Sequence, residues 1–331
     1  MRLLITGITG FLGMRLFSLA KAKGYDVIGI GRNKSIGEKI TAAGGRFIEV
    51  DISNEPELKK VFPKVDLVCH CAAYSSPWGN YDEHYRANVL GTRFLAKIAL
   101  EHSIKRFVHI SSPSIYFQYK HQFDLKETTE LPSRLVNHYA QTKLLAEKEL
   151  ESFAVKGMET ITLRPRAIFG PGDQAIVPRI IRANSLGFFP VFFKDDIKID
   201  LTYVDNVVSA IMASLEADSG ACNQTYNITN GEPIELSSFL SKLFANLNLK
   251  FKPKYIPFSL GYSGAKLLES LYRNLFKKSE PPLTCYTVGL FSFSQTLNIT
   301  KARNLLGYTP NISVEEGANR YAQWYLSHQQ G

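Results

Sequence analysis

Leu3-Leu4-Ile5 is a short apolar run that leads straight into Thr6-Gly7-Ile8-Thr9-Gly10-Phe11-Leu12-Gly13, and Met14 to Lys23 then has the spacing of a helix. The reading is strand, glycine turn, helix. Glycines at 7, 10 and 13 let the backbone turn tightly, admit a ligand where a Cβ would stand, and bring the helix against the strand. The helix start offers unpaired amides and a positive dipole end, which suit a pyrophosphate. Ordinary strand-to-helix turns carry similar glycines, so the rest of the chain has to decide.

The alternation then repeats along the chain. Val27-Ile28-Gly29-Ile30 reads as a second strand, Arg46 to Val50 as a third, Val65 to Cys71 as a fourth and Phe107 to Ile110 as a fifth. Helical stretches at Glu55 to Phe62 and His84 to His102 lie between them. Strands and helices in turn predict an α/β fold with a Rossmann-type, doubly wound parallel sheet. The division expected is a dinucleotide-binding domain over 1–170, with a segment near 201–230 returning to it, and a smaller α/β substrate lobe over 171–331 that includes 231–300.

The strand ends supply candidate cofactor contacts. Gly31-Arg32-Asn33 follows the second strand, and no acid comes until Glu38. An acid there would bond the ribose hydroxyls of NAD, whereas Arg32 can hold the extra phosphate of NADP. NADP(H) is therefore the preferred cofactor read from this stretch, with NAD(H) the other one the fold takes. Asp51-Ile52 ends the third strand where an adenine would lie, and Cys71-Ala72-Ala73 ends the fourth where small residues let a cofactor pass.

Composition narrows the class. The 331 residues are 45% apolar and 21% charged, ordinary for a globular enzyme. A net charge of +9 fits an anionic cofactor, an acidic or CoA-like substrate, a membrane surface or plain solvation. The cations are scattered and not interleaved with aromatics in one block, which sets nucleic acid aside. Cys69-His70-Cys71 lies in a strand with both thiols on one face, and the further ligands a metal needs are missing, so no metal is expected. A strand starting at residue 2 leaves no room for a signal peptide, and no run of about 18 apolar residues comes after it, which predicts a cytoplasmic protein.

Chemistry concentrates in two places. The fifth strand runs into Ser111-Ser112-Pro113-Ser114, where open α/β sheets bind ligands. Farther on, Tyr139-Ala140-Gln141-Thr142-Lys143 opens a helix, and residues four apart share a helix face. A neighbouring cation should pull the Tyr139 phenol below its usual pKa of about 10 and let it exchange a proton near neutrality. Ser112 would hold the substrate oxygen while nicotinamide exchanges hydride with its carbon.

With these residues in hand, the chain resembles the extended branch of the short-chain dehydrogenase/reductase superfamily, which includes NAD-dependent epimerases and dehydratases. The turn from Thr6 to Gly13, Asp51-Ile52, Ala72-Ala73, Asn88, Ser111-Ser112, and Tyr139 with Lys143 carry the resemblance. It implies that Ser112 (or else Ser111), Tyr139 and Lys143 are catalytic, that Lys143 also binds the nicotinamide ribose, that Asn88 organises the active-site hydrogen bonds, and that the family's usual dimer forms through the 84–102 and 139–153 helices. Pro165 and Ile168, in Leu163-Arg164-Pro165-Arg166-Ala167-Ile168-Phe169-Gly170-Pro171-Gly172-Asp173, would line the nicotinamide. That stretch is similar to the 3β-hydroxysteroid and sterol-4-carboxylate 3-dehydrogenase group, and Trp78-Gly79-Asn80-Tyr81 and Asp200 to Val207 look like its bacterial members, including 2-alkyl-3-oxoalkanoate reductases. Family dehydratases carry Asp-Glu where Pro113-Ser114 stands here, which argues against sugar dehydration.

The expected reaction is hydride transfer to or from a secondary alcohol or ketone of an apolar, lipid-like β-hydroxy or β-keto substrate. A product with a carboxylate beta to the ketone could then lose it without another catalytic residue. The alternative is a nucleotide-sugar epimerase holding NAD tightly, with Arg179 and Arg182 as candidates to face a pyrophosphate, although Ile199 stands where epimerases commonly have arginine. A third reading, a dinucleotide-binding scaffold without turnover, is opposed by the intact Ser112, Tyr139 and Lys143. In the second half, Phe188 to Phe193 is an aromatic cluster that fits a core or an apolar substrate. Tyr255 to Phe276 is apolar and aromatic with Lys250, Lys252 and Lys254 before it and Lys277 and Lys278 after it. Broken by Pro257, Gly261 and Gly264, it reads either as a lid of the substrate lobe or as a peripheral membrane contact.

Overall fold

A computed structural model describes residues 1–193, 195–276 and 279–329. Seven parallel strands form the main sheet: β1 Arg2–Thr6, β2 Asp26–Gly31, β3 Arg46–Glu49, β4 Leu67–His70, β5 Arg106–Ile110, β6 Glu159–Pro165 and β7 Gln224–Ile228. Their spatial order is β7-β6-β5-β4-β1-β2-β3. The order reverses between β1 and β4, so the crevice for a ligand opens at the carboxyl ends of those strands.

Alternation along each strand feeds two cores. Leu3 and Ile5 point to one face, where they meet Leu16 and Phe17 of helix Phe11–Ala22 and Val207 and Ile211 of helix Val204–Glu216. Leu4 points to the other, with Leu58, Leu95, Ile98 and Leu150 from the helices Glu55–Val61, Gly91–Glu101 and His138–Ala154. This is a period of two read out as two hydrophobic layers. A third core, with Phe169, Phe189, Phe239, Phe244 and Tyr321, holds the smaller lobe together.

The first helix starts at Phe11 rather than at Met14, because Gly13 belongs inside its first turn. A Cβ on Gly13 would stand 2.2 Å from the Gly7 carbonyl oxygen, and one on Gly7, whose φ is +65°, would meet Ala72 N at 2.7 Å. Only glycine permits both approaches. The helix read over 84–102 also begins earlier, at Tyr81, and is π-helical over Tyr85–Leu90 before continuing as Gly91–Glu101.

The chain crosses between the lobes more often than a division at residue 170 implies. Gln122–Leu125 leaves the first half to pair with Gln295–Leu297 in a four-stranded sheet of the smaller lobe. Residues 204–228 come back as the helix Val204–Glu216 and β7. Phe189 and Phe192 of the 188–193 cluster are buried, while Phe188 is exposed.

Helix Phe258–Leu275 buries Gly261 and Ala265 and rests on Phe192. Its other face leaves Leu260, Leu267, Leu271 and Leu275 in solvent. Lys277 and Lys278 lie outside the described residues. Among the described residues no helix is long and apolar enough to cross a membrane.

Candidate active site

Gly10 caps the first helix without a side-chain hydrogen bond, no acid occupies the first turn, and the first helical bond to a neighbouring turn is Met14 N to Gly10 O at 2.9 Å. The amides of Phe11, Leu12 and Gly13 thus meet no capping group, and a phosphate fits the acceptor they need. Thr6 closes the turn from below, its hydroxyl accepting from Ala72 N at 3.3 Å and meeting His70 Nδ1 at 2.7 Å. Thr9 lies against Gly31 and Gly172 against Phe11; Ile168 packs in the same cores as Leu12, while Pro165 ends its strand beside Ile228.

On the far rim, Arg32 is exposed and Asn33 caps the next helix by accepting from Ile36 N at 3.1 Å. Burial would raise the Asp51 carboxyl. Two bonds from Ser53, at 2.9 and 2.8 Å, and the charges of Arg32 and Arg86 outweigh it and hold Asp51 below its ordinary range. Ile52 packs into the core beside Gly91, Ala73 is exposed, and Cys71 stands with its thiol 3.6 Å from that of Cys69. His70 is turned instead to Thr6 and to Thr92, at 2.8 Å, and burial pushes it down to about 3.

The helix carrying Tyr139 is started by Asn137, which accepts from Ala140 N at 2.9 Å. Tyr139 and Lys143 sit one turn apart, but they do not act on each other as the spacing predicts. Burial raises the Tyr139 phenol to about 12, and only a hydrogen bond with Ser112 works the other way. The reason is where the lysine goes. Lys143 runs inward, donates to the Ile110 carbonyl at 2.6 Å and meets His109 Nε2 at 3.2 Å. An ammonium only donates, so His109 accepts through Nε2 and carries its proton on Nδ1, which has no partner. Burial keeps His109 neutral and lowers Lys143 to about 8.

Around this pair the polar groups are tightly placed. Asn88, in the π-helical turn, accepts from Tyr74 N at 2.7 Å and donates to Tyr74 O at 3.2 Å and to Thr142 Oγ1 at 3.0 Å, so it ties the 74–80 loop to the Tyr139 helix. Single-turn π segments of this kind often occur at functional sites. Ser112 meets Ser114 Oγ at 3.0 Å and faces Tyr139, whereas Ser111 turns away to Glu147. Glu147 is taken up by Arg164, whose Nε donates to it at 2.9 Å, and Arg164 also donates to the Tyr116 hydroxyl.

Three residues that the sequence did not single out complete the crevice. Arg166 follows β6 directly and is as buried as Arg164, 8% exposed against 6%. Its Nε has no partner. Asp200 and Tyr286, from the smaller lobe, are its electrostatic neighbours. Burial raises Asp200 to about 6 against the pull of Leu297 N and Arg166, and raises Tyr286, which in turn acts on Tyr139. A charge stranded in an apolar stretch at a strand end was the available signal for Arg166; nothing local marks Tyr286. Arg179, a candidate to face a pyrophosphate, is instead paired with Glu280 at 2.9 Å.

A parallel sheet with an anion-accepting glycine turn at its switch point and a serine, tyrosine and lysine beside it defines an enzyme of the dinucleotide-binding Rossmann class. More narrowly, the chain belongs to the NAD dependent epimerase/dehydratase family, whose model matches residues 3–229. It is 35% identical to the uncharacterized protein YbjS of Escherichia coli over 99% of this chain and 98% of that one. It is 31% identical to a 2-alkyl-3-oxoalkanoate reductase of Stenotrophomonas maltophilia over 97% and 98% of the two chains. The fold is that of a UDP-glucose 4-epimerase from Thermotoga maritima, with a TM-score of 0.78, 22% identity, and coverage of 99% and 100%.

Proposed function

We propose that this chain is an NADP(H)-preferring ketoreductase for an apolar β-keto substrate, catalysing the same hydride exchange in reverse with the β-hydroxy compound. The observation that carries the reading is the Tyr139 phenol, which burial raises to about 12, with Ser112 as its hydrogen-bonding neighbour and Lys143 one turn on along the same helix. A protonated phenol is the acid a carbonyl oxygen needs as it becomes a hydroxyl. Bound nicotinamide supplies the hydride. Ser112 and Tyr139 hold the substrate oxygen between them, and Tyr139 gives it a proton. Lys143 lies one turn below, where the family role of binding the nicotinamide ribose suits it, and Asn88 fixes the helix on which both stand.

The apolar substrate is supported by aromatic side chains that line up from the site outward. Tyr286 meets Phe117 edge-on at 5.1 Å, Phe117 meets Tyr119 at 5.3 Å, and Tyr119 meets Tyr262 at 5.3 Å. The preference for NADP(H) rests on exposed Arg32 at the end of β2, with no acid there to bind a ribose hydroxyl pair. The curated relative from Stenotrophomonas maltophilia, a 2-alkyl-3-oxoalkanoate reductase by name, favours the same reading. The homodimer expected from the family belongs to it too, and sedimentation tests that.

Nicotinamide fluorescence with NADPH and NADH, followed by a panel of β-keto acids, steroids and UDP-sugars, tests the whole reading. Tighter NADPH binding and oxidation of NADPH by apolar ketones are expected. Retained NAD with interconversion of UDP-sugars would give the site to an epimerase.

A further inference from the structure

We propose that Arg166 is the anchor for a substrate carboxylate, so that the crevice selects a β-oxo acid over a neutral ketone of the same length. The inference rests on the ketoreductase reading and adds a specificity residue to it. Three observations carry it. The register places Ile110 of β5 beside Leu163 of β6, with Ser111 N bonded to Leu163 O at 2.7 Å. Arg166 and Ser112 therefore both follow the carboxyl ends of neighbouring strands, three and two residues beyond this pair.

Second, its guanidinium is buried and short of acceptors. Among the described residues no carboxylate forms an ion pair with it, and its Nε is unpartnered. Asp200 lies near but spends one oxygen on Leu297 N at 2.7 Å, and its other oxygen is also unpartnered. A buried arginine without a carboxylate is costly, and a ligand carboxylate is the planar group its fork matches. Third, Ala167, directly after it, holds a φ of +45°, a conformation that side chains rarely adopt and that collects at functional sites. The backbone around the pair is pinned by Arg166 N to Ile228 O at 3.0 Å and Thr202 N to Ala167 O at 3.2 Å.

Tyr286 is an electrostatic neighbour of both Arg166 and Tyr139. The substrate carboxylate would lie on Arg166 with the Tyr286 hydroxyl at the other oxygen. The ketone would lie at Ser112 and Tyr139, and the alkyl chain would run along Phe117 and Tyr119.

The test compares 3-oxododecanoic acid with its methyl ester as substrates of the full chain, with either reduced cofactor. Wild type should prefer the acid. Arg166→Met should raise KM for the acid about 10- to 100-fold more than for the ester, the worth of a hydrogen-bonded charge, with kcat changing less. Arg166→Lys should recover part of the preference. Equal effects on acid and ester, or no preference in the wild type, overturn the anchor and leave the ketoreductase standing. Turnover of neither compound by the wild type overturns the ketoreductase reading, and the anchor with it. Ester turnover in each variant also reports that it has folded.

A different observation carries a second inference. We infer that the outer face of helix Phe258–Leu275 docks on an anionic lipid surface. Leu260, Leu267, Leu271 and Leu275 fall at helical spacing on one exposed face, from 41% to 70% exposed. The described residues 250–276 contain five cations, Lys250, Lys252, Lys254, Lys266 and Arg273, and one acid, Glu269, which is turned inward to Cys285 N at 2.8 Å. An apolar helix face in a stretch with an excess of cations complements anionic headgroups and the acyl boundary beneath them. The inner face of the same helix meets Tyr119 through Tyr262, so a docked molecule would receive a lipid-like substrate beside its aromatic wall.

Flotation with phosphatidylglycerol vesicles and with phosphatidylcholine vesicles is the test. Binding to the former is expected, with a loss of about tenfold or more in a Leu267→Asp/Leu271→Asp variant that keeps its melting temperature. Two results would overturn the inference. One is equal behaviour on the two lipids. The other is a wild-type dimer that the double variant turns into a monomer, which would assign the face to a second copy.

Discussion

Arg164 and Arg166 stand two residues apart at the end of one strand, equally buried, and they live in opposite surroundings. Under the sheet's edge, Arg164 has Glu147 on two of its nitrogens and Tyr116 on a third, with Ser111 and Asn227 completing the network. In the crevice, Arg166, Asp200 and Gln295 each keep an atom without a partner. Buried polar groups are nearly always hydrogen-bonded to protein or to ordered water, so several unpartnered ones in one place are what the proposed carboxylate would meet. The network around Arg164 is closed by folding, whereas on the proposed reading the one around Arg166 would be closed by substrate.

Variants can break or sharpen that contrast. The largest effect should come from Tyr139→Phe, which removes the proton donor but keeps the ring: turnover falls about 100- to 10,000-fold while NADPH binding and melting temperature hold. A variant with normal turnover would remove Tyr139 from the chemistry. Next is Arg164→Ala, which strands Glu147 in the interior and should cost about 3–5 kcal/mol in denaturant unfolding. Its neighbour should behave in the opposite way. Arg166→Met replaces an unpaired charge with an apolar side chain, so stability should stay level or rise. Equal losses at the two positions would mean that both arginines are structural.

Asp200 gives a smaller effect that depends on pH. Burial raises its folded pKa from 3.8 to about 6, so the folded state binds the extra proton between those values. Stability from this group is complete below about pH 4 and is lost as pH rises through about 6. Asp200→Asn should flatten that slope in melting curves taken from pH 4 to 7. Smallest of all, Arg32→Ala lies outside the contrast and should lower the preference for NADPH over NADH by about tenfold, since it removes one exposed charge on a phosphate.

Much of the sheet was legible because its signals are local. The Thr6 to Gly13 turn, the strands and the Tyr139 helix each declare themselves within a dozen residues. The candidate site was legible in its residues but not in its electrostatics. Tyr139 and Lys143 share a helix face as their spacing requires, yet Lys143 is drawn to the Ile110 carbonyl, a group supplied by another strand. Arg166 was in plain sight beside Pro165, but its electrostatic neighbours Asp200 and Tyr286 arrive from the other lobe. Similarly, no local pattern says that Gln122–Leu125 belongs to a sheet completed near the end of the chain.

That strand has a consequence for how the molecule is made. Gln122 and its partners near Gln295 are separated by 173 residues, as is the pair His121 and Ser294. While the chain is being synthesised, Gln122–Leu125 must wait, unpaired, until Gln295–Leu297 has emerged. The parallel sheet around the glycine turn can form early, but the wall over the reacting centre cannot. The smaller lobe should consequently lose its four-stranded sheet when either Gln122–Leu125 or Gln295–Leu297 is displaced, because the two are distant in the chain and paired in the fold.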